Sequence, residues 1–156
     1  MGAQRALGRR MPRSRGALDT VMVGLMDKLT QRMRSAHRVC RTVVLRLRFA
    51  DFTRATRSHT IAEATAETPI LLAAARDLLD GAMPLIEEQG ITLLGLTLTN
   101  LVNDDAVQLA LPLERQRARA LDATIDDVRE RFGNEAITRA VLVGRDQGFS
   151  MPGLPD

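Results

Sequence analysis

Residues Thr42 to Phe49 alternate without a break, and that alternation constrains the chain more than any other stretch. Val43, Leu45, Leu47 and Phe49 fall on one side of an extended chain, and Thr42, Val44, Arg46 and Arg48 on the other. Such a segment is a strand with one face for a core and one basic face for something outside it. Ala50-Asp51 offers a tight connection into Phe52–Ile61, a second alternating run rich in threonine, so a hairpin follows. A sheet with one apolar face needs helices to cover it, and the sequence supplies two.

The first helix is read over Ala17–His37, where Leu18, Val21, Met22, Leu25, Met26, Leu29 and Met33 recur at spacings of three and four. The second starts at Thr68-Pro69, with Thr68 as capping hydroxyl and Pro69 at the first helical position. Gly81 and Pro84 predict a kink or a split in it, and Gly90 a stop. Ile91–Leu101 is the last clear strand, with Ile91, Leu93, Gly95, Thr97 and Thr99 on one face and Leu94, Leu96 and Leu98 on the other. Adding a short opening strand near Gly2–Leu7 gives an α+β fold of the split βαββαβ type. Its antiparallel four-stranded sheet carries both helices on one face. Residues 1–16 are read as a linker with an incomplete first strand, 17–101 as the domain, and 102–116 as a linker opening with the polar turn Val102–Ala106. Residues 117–156 form a C-terminal helical extension, its helix running through Leu121, Ile125, Val128 and Phe132 to Gly133. The type of the apolar segment Ala136–Gly144 is left open.

The net charge of +3 conceals an uneven distribution. Residues 1–60 hold fourteen basic and three acidic side chains, a net +11, whereas residues 61–156 hold eight and sixteen, a net −8. Such asymmetry fits one face built for a polyanion. Cys40 is alone, so no disulfide or cysteine-based zinc site forms within one chain. No apolar run approaches the ~20 residues of a membrane span, and no secretory signal is visible at Met1–Pro12. A cytoplasmic, nucleoid-associated protein is expected.

Catalytic chemistry finds no support in the residues. There is no phosphate-binding glycine loop, and His37, His59 and Cys40 are too few for a histidine-rich metal site. Asp104-Asp105 and Asp126-Asp127 read as solvated charges rather than a two-metal centre. Ser58 and His59 are strand neighbours and point to opposite faces, so they are no dyad. Binding chemistry is present instead. Arg41–Thr60 (RTVVLRLRFADFTRATRSHT) sets Arg41, Arg46, Arg48, Arg54 and Arg57 among threonine and serine hydroxyls on one hairpin. Guanidinium forks and hydroxyls grip phosphates without reading bases. Phe49 and Phe52 are the only rings of this stretch and Phe49 belongs to the core, which disfavours base stacking across the sheet.

The run from Arg41 to Ile61 closely resembles the little-finger domain of Y-family translesion polymerases of the DNA polymerase IV (DinB) type. Thr92–Leu101 (TLLGLTLTNL) is similar to that domain's last strand, and Ala3-Gln4 to the stretch just after the palm. The resemblance covers roughly residues 2–113. It implies a sheet lying against primer–template DNA, with Arg46, Arg48, Arg54, Thr56, Arg57, Ser58 and His59 on the strands that face it. Gln108–Leu113 (QLALPL) is similar to the family's peptide for the β sliding clamp. Gln108 would anchor it by hydrogen bonds while Leu109, Leu111 and Leu113 enter an apolar pocket. The family's catalytic carboxylates and aromatic steric gate lie in a palm domain, so no activity and no cofactor are expected of these residues, Mg2+ belonging with the palm. A fragment of a longer polymerase is favoured over a stand-alone finger. Two rival functions remain: a non-catalytic adaptor of a mutagenesis complex that docks a partner through the helix Leu121–Phe132, and a basic RNA-binding domain.

Overall fold

The computed structural model describes residues 1–8, 13–106 and 113–144, with backbone alone considered at 106 and 113–116. Its elements run β1 (Gly2–Ala6), α1 (Arg15–Ser35), β2 (Arg38–Phe49), β3 (Arg54–Thr65), α2 (Thr68–Gln89), β4 (Ile91–Thr99), β5 (Val102–Asn103) and α3 (Leu113–Phe132). The sheet is antiparallel throughout, ordered β1-β4-β2-β3, with β5 paired to the start of β2. Both long helices lie on one face. Leu18, Met22, Leu25 and Leu29 of α1 and Leu71, Ala75 and Leu79 of α2 are sealed against Val43, Leu45, Leu47, Leu94, Leu96 and Leu98. At about 25 cal/mol per Å2, each buried leucine contributes roughly 2 kcal/mol, so this layer is the main source of stability.

The α+β architecture therefore agrees with the sequence reading, and the departures are local. Within residues 1–16 the expected opening strand is β1, paired with β4 over Gly2–Ala6, and Ser14 caps α1, its hydroxyl accepting from the Ala17 amide at 3.3 Å. The hairpin turn spans 50–53 rather than Ala50-Asp51. The Asp51 carboxylate takes the Thr53 amide at 2.9 Å, and the Phe49 amide donates to the Thr53 carbonyl at 2.9 Å. Phe52 thereby falls in the turn and not on β3.

Thr68 does not cap α2. Glu67 is the N-cap residue, and the Thr68 hydroxyl instead lies 2.9 Å from that of Thr30 and accepts from Arg34 at 3.0 Å. The orphan Thr68 amide donates to Asp122 of α3 at 3.0 Å, so a distant carboxylate supplies the cap. Gly81 and Pro84 leave α2 a single assigned helix. Tertiary packing over two faces outweighs the hydrogen bond that Pro84 removes. Ile91 belongs to the core face, because a register shift between Arg48 and Phe49 inserts a residue and turns it inward. The turn expected at Val102–Ala106 begins with β5 and ends in a short 3-10 turn. Ala140–Leu142 is another 3-10 turn whose Leu142 enters the core.

α3 inverts the usual arrangement of an amphipathic helix. Among its residues with described side chains, those buried are Asp122 (2% exposed) and Arg129 (6%), while Leu121 and Phe132 are exposed. Ion pairs hold it to the body. Arg129 donates to Asp27 at 2.7 Å, Arg34 grips Asp126 through two bonds of 2.6 and 3.1 Å, and Arg119 donates to Glu67 at 3.0 Å. Asp126 is thus a partner of Arg34 and not a solvated charge.

Candidate nucleic-acid interface

The face of the sheet turned away from the helices is fixed by register, since directly opposed residues share a face. One row across it is Ala6, Leu93, Arg48 and Arg54, and the next is Gln4, Gly95, Arg46 and Thr56. Then come Gly2, Thr97, Val44 and Ser58, followed by Thr99, Thr42 and Thr60. Three arginines, six hydroxyls and one carboxamide thus share a surface, and none of these register positions holds a carboxylate. Arg46, Arg54, Thr56 and Ser58 are exposed.

Strand β2 places its arginines outward because the alternate positions are buried leucines and valines, and a slip of one residue would bury the charges. At the bulge, Arg48 Nε donates to Thr92 Oγ1 at 3.1 Å, and that hydroxyl donates to the carbonyl oxygens of Arg48 and Phe49. The guanidinium is thus steadied beside its own strand. Further along, Thr42 and Thr60 place their hydroxyls 3.0 Å apart, and Asn100 donates to Thr42 at 2.9 Å.

Carboxylate pairing divides the arginines into two populations. On the helical side Arg15, Arg34, Arg76, Arg119, Arg129 and Arg139 each meet a carboxylate within 3.4 Å. On the open face, neither Arg46 nor Arg54 pairs with any acid among the described residues, and the bond of Arg48 is to a neutral hydroxyl. Arginines that meet no carboxylate on the open face give a positive field there.

Of the seven residues expected on this surface, Arg46, Arg48, Arg54, Thr56 and Ser58 come together on it. Arg57 and His59 do not share it. They stand opposite Leu45 and Val43 and so point to the helical side, exposed because β3 is the sheet's edge. Gln4, Thr42, Thr97 and Thr99 join the surface without having been singled out. The alternation of β4 already put Thr97 and Thr99 on one face, but nothing local revealed which strand lies beside it. Gln108, Leu109 and Leu111 lie outside the described residues, and Leu113 is the first residue of α3, its side chain likewise outside them.

No other chemistry converges. Among the described residues no group of three histidine, cysteine, aspartate or glutamate side chains is placed to hold a metal ion. Burial pushes the Cys40 thiol up to about 12, so it is a core side chain rather than a nucleophile. His37, at a positive φ of 50°, lies on the surface with Nδ1 3.6 Å from Asp104. No helix among the described residues is long and apolar enough to cross a membrane.

Residues 1–111 match the impB/mucB/samB family C-terminal domain. DNA polymerase IV 2 of Mesorhizobium japonicum is 35% identical over 151 residues, covering 87% of this chain and 36% of that protein. DNA polymerase IV 2 of Halalkalibacterium halodurans is 33% identical, covering 80% of this chain and 30% of its own length. The chain thus spans about a third of the length of the curated relatives it matches. Among solved structures, the little finger domain in a complex of beta-clamp processivity factor and PolIV superposes with a TM-score of 0.50 at 23% identity, covering 72% of this chain and 97% of that one. A post-insertion binary complex of Dbh DNA polymerase gives 0.57 at 11% identity, covering 65% of this chain and 28% of that one.

Proposed function

The chain belongs to the impB/mucB/samB family of C-terminal domains, and from that premise we propose that its open sheet face grips the phosphates of primer–template DNA for a Y-family polymerase. The observation that carries this reading is that Arg46, Arg48 and Arg54 meet no carboxylate among the described residues and share register rows of hydroxyls with no acidic residue in them. Each guanidinium that neutralises a phosphate releases a counterion, giving affinity that is indifferent to sequence and steep in salt. Threonine and serine hydroxyls add neutral donors that fix the backbone's path. No aromatic ring stands in any of these rows.

The peptide Gln108–Leu113 would dock the β sliding clamp, raising the effective concentration of the domain at a primer terminus. Nucleotidyl transfer and its Mg2+ would belong to the palm region of such a polymerase, in the cytoplasm with the nucleoid. Tethering, not chemistry, is the work of these residues.

The test is a fluorescence-anisotropy salt titration on a primer–template duplex. Arg46→Ala/Arg48→Ala/Arg54→Ala should bind more weakly, with a log–log slope shallower by about 0.9 for each phosphate contact removed. Arg57→Ala, on the other face, should change the slope less. A triple variant that keeps the wild-type slope would remove the open face from the reading. A matched RNA duplex bound in preference to DNA would redirect it to RNA.

A further inference from the structure

The tip of the β2–β3 hairpin carries a ring that the fold neither buries nor accommodates comfortably. Phe52 is 74% exposed, and its φ of 67° lies in the left-handed region that favours glycine. The turn that holds it there is firmly built. The Phe52 amide donates to the Phe49 carbonyl at 3.1 Å, and Asp51 takes both the amide and the hydroxyl of Thr53. A bulky side chain is thus kept in solvent, in a backbone conformation unfavourable to it, with no burial in return. The opposed pair closest to the turn is Arg48 and Arg54, both on the open face. The adjacent carboxylate of Asp51 is taken up by Thr53.

We propose that Phe52 is a base-contacting residue, its ring stacking on an unpaired nucleobase where duplex gives way to single strand. This inference rests on the reading of the open face as a DNA platform and adds to it a class of substrate, the junction. The flanking guanidiniums favour a polyanion over an apolar protein pocket. Within a duplex each base is held by its pairing and covered by its neighbours, so a ring can take a base splayed from the stack only where that base is unpaired. Arg48 and Arg54 would hold the phosphates next to that base.

Binding is measured on a primer–template carrying 2-aminopurine at the first unpaired template position, with a blunt duplex of the same sequence for comparison. Phe52→Ala should weaken primer–template binding about tenfold and abolish the quenching of 2-aminopurine. It should leave the blunt duplex and the salt slope unchanged. Phe52→Gly should lose the same binding yet melt no lower than wild type, because glycine accepts the positive φ. Equal losses on both DNAs, wild-type binding by either variant, or a lowered melting point for Phe52→Gly would overturn the proposal. If the Arg46/Arg48/Arg54 variant loses salt slope while the Phe52 variants bind normally, this inference alone fails. If the wild type shows no salt-dependent binding, the platform reading fails and takes this one with it.

Discussion

Replacing Asp27 by alanine should release α3 while leaving the sheet folded. Asp27 sits within α1, buried, and accepts from Arg129 at 2.7 Å and from Arg139 at 3.0 Å. Without its carboxylate, the Arg129 guanidinium would be left in the interior with the Ile137 carbonyl as its remaining acceptor. Stranding a buried charge in this way costs about 3–5 kcal/mol. The helix can escape that cost by undocking, because among its described side chains those buried are Asp122 and Arg129, and it sacrifices little apolar burial. In its other pairs one partner is partly exposed, Asp122 and Glu67 being the buried ends. A loss of about 3 kcal/mol lowers the docked-to-undocked ratio roughly 150-fold. Native-state hydrogen exchange reads this directly. Amides of Leu121–Phe132 should exchange about a hundredfold faster, while those of β2 and β4 change little. The variant Asp27→Leu/Arg129→Met, which removes both charges, should recover most of the protection. Sheet amides accelerating together with α3 would refute the argument that the helix is a separate unit. Unchanged α3 amides would refute the claim that this ion pair holds it.

Three further outcomes follow from the geometry. The Arg76 guanidinium, bonded to Asp19 at 2.8 and 2.9 Å, holds that carboxyl below the usual carboxylate range, with Arg15 assisting. A depressed folded pKa gives stability that is present above the unfolded value, about 3.9, and lost as pH falls through the lower folded one. Asp19→Asn should therefore flatten the acid limb of melting temperature against pH below about 4. Because burial raises the Cys40 thiol to about 12, its contribution is complete below the unfolded value of about 8.5 and fades as pH climbs toward 12. Cys40→Ala should remove that alkaline slope, and in the wild type a thiol reagent at pH 8 should label the residue only on unfolding. Gly95→Ala would place a Cβ 3.2 Å from that of Gln4, and the resulting shift of β1 should cost about 1 kcal/mol, seen as faster exchange at Ala3 and Arg5.

What the sequence reveals here is what repeats locally. The spacing of Leu18 through Met33 and the alternation of Val43 through Phe49 place α1 and β2 because each pattern is complete within its own element. Bulges and caps depend on partners far along the chain. Ile91 changes face through one inserted residue opposite Arg48, and the Thr68 amide is capped by Asp122, which no local signal joins. The candidate surface divides along the same line. Arg46, Arg48, Arg54, Thr56 and Ser58 also follow from alternation, whereas Arg57 and His59 enter only through the family resemblance, which implies whole strands and not one face of them. Gln4 arrives from the opposite end of the sequence through pairing with Gly95. The charged docking of α3 is hidden for a further reason. The apolar period Leu121, Ile125, Val128 and Phe132 suggests a buried stripe, whereas the buried stripe is the charged one beside it.

The place of β1 also governs how the domain assembles itself. The β2–β3 hairpin joins neighbouring segments and closes early, on a scale of roughly 1–10 μs. Gly2, by contrast, pairs with Thr97, so the sheet's first strand has no partner until almost the whole domain exists. On a ribosome adding about 5–20 residues per second, Gly2–Ala6 waits several seconds as an unpaired extended segment while α1, the hairpin and α2 gather. Its joining is the non-local step expected to limit refolding. Substitutions in β1 or β4, and in the hairpin that closes before that step, should then slow folding more than they speed unfolding.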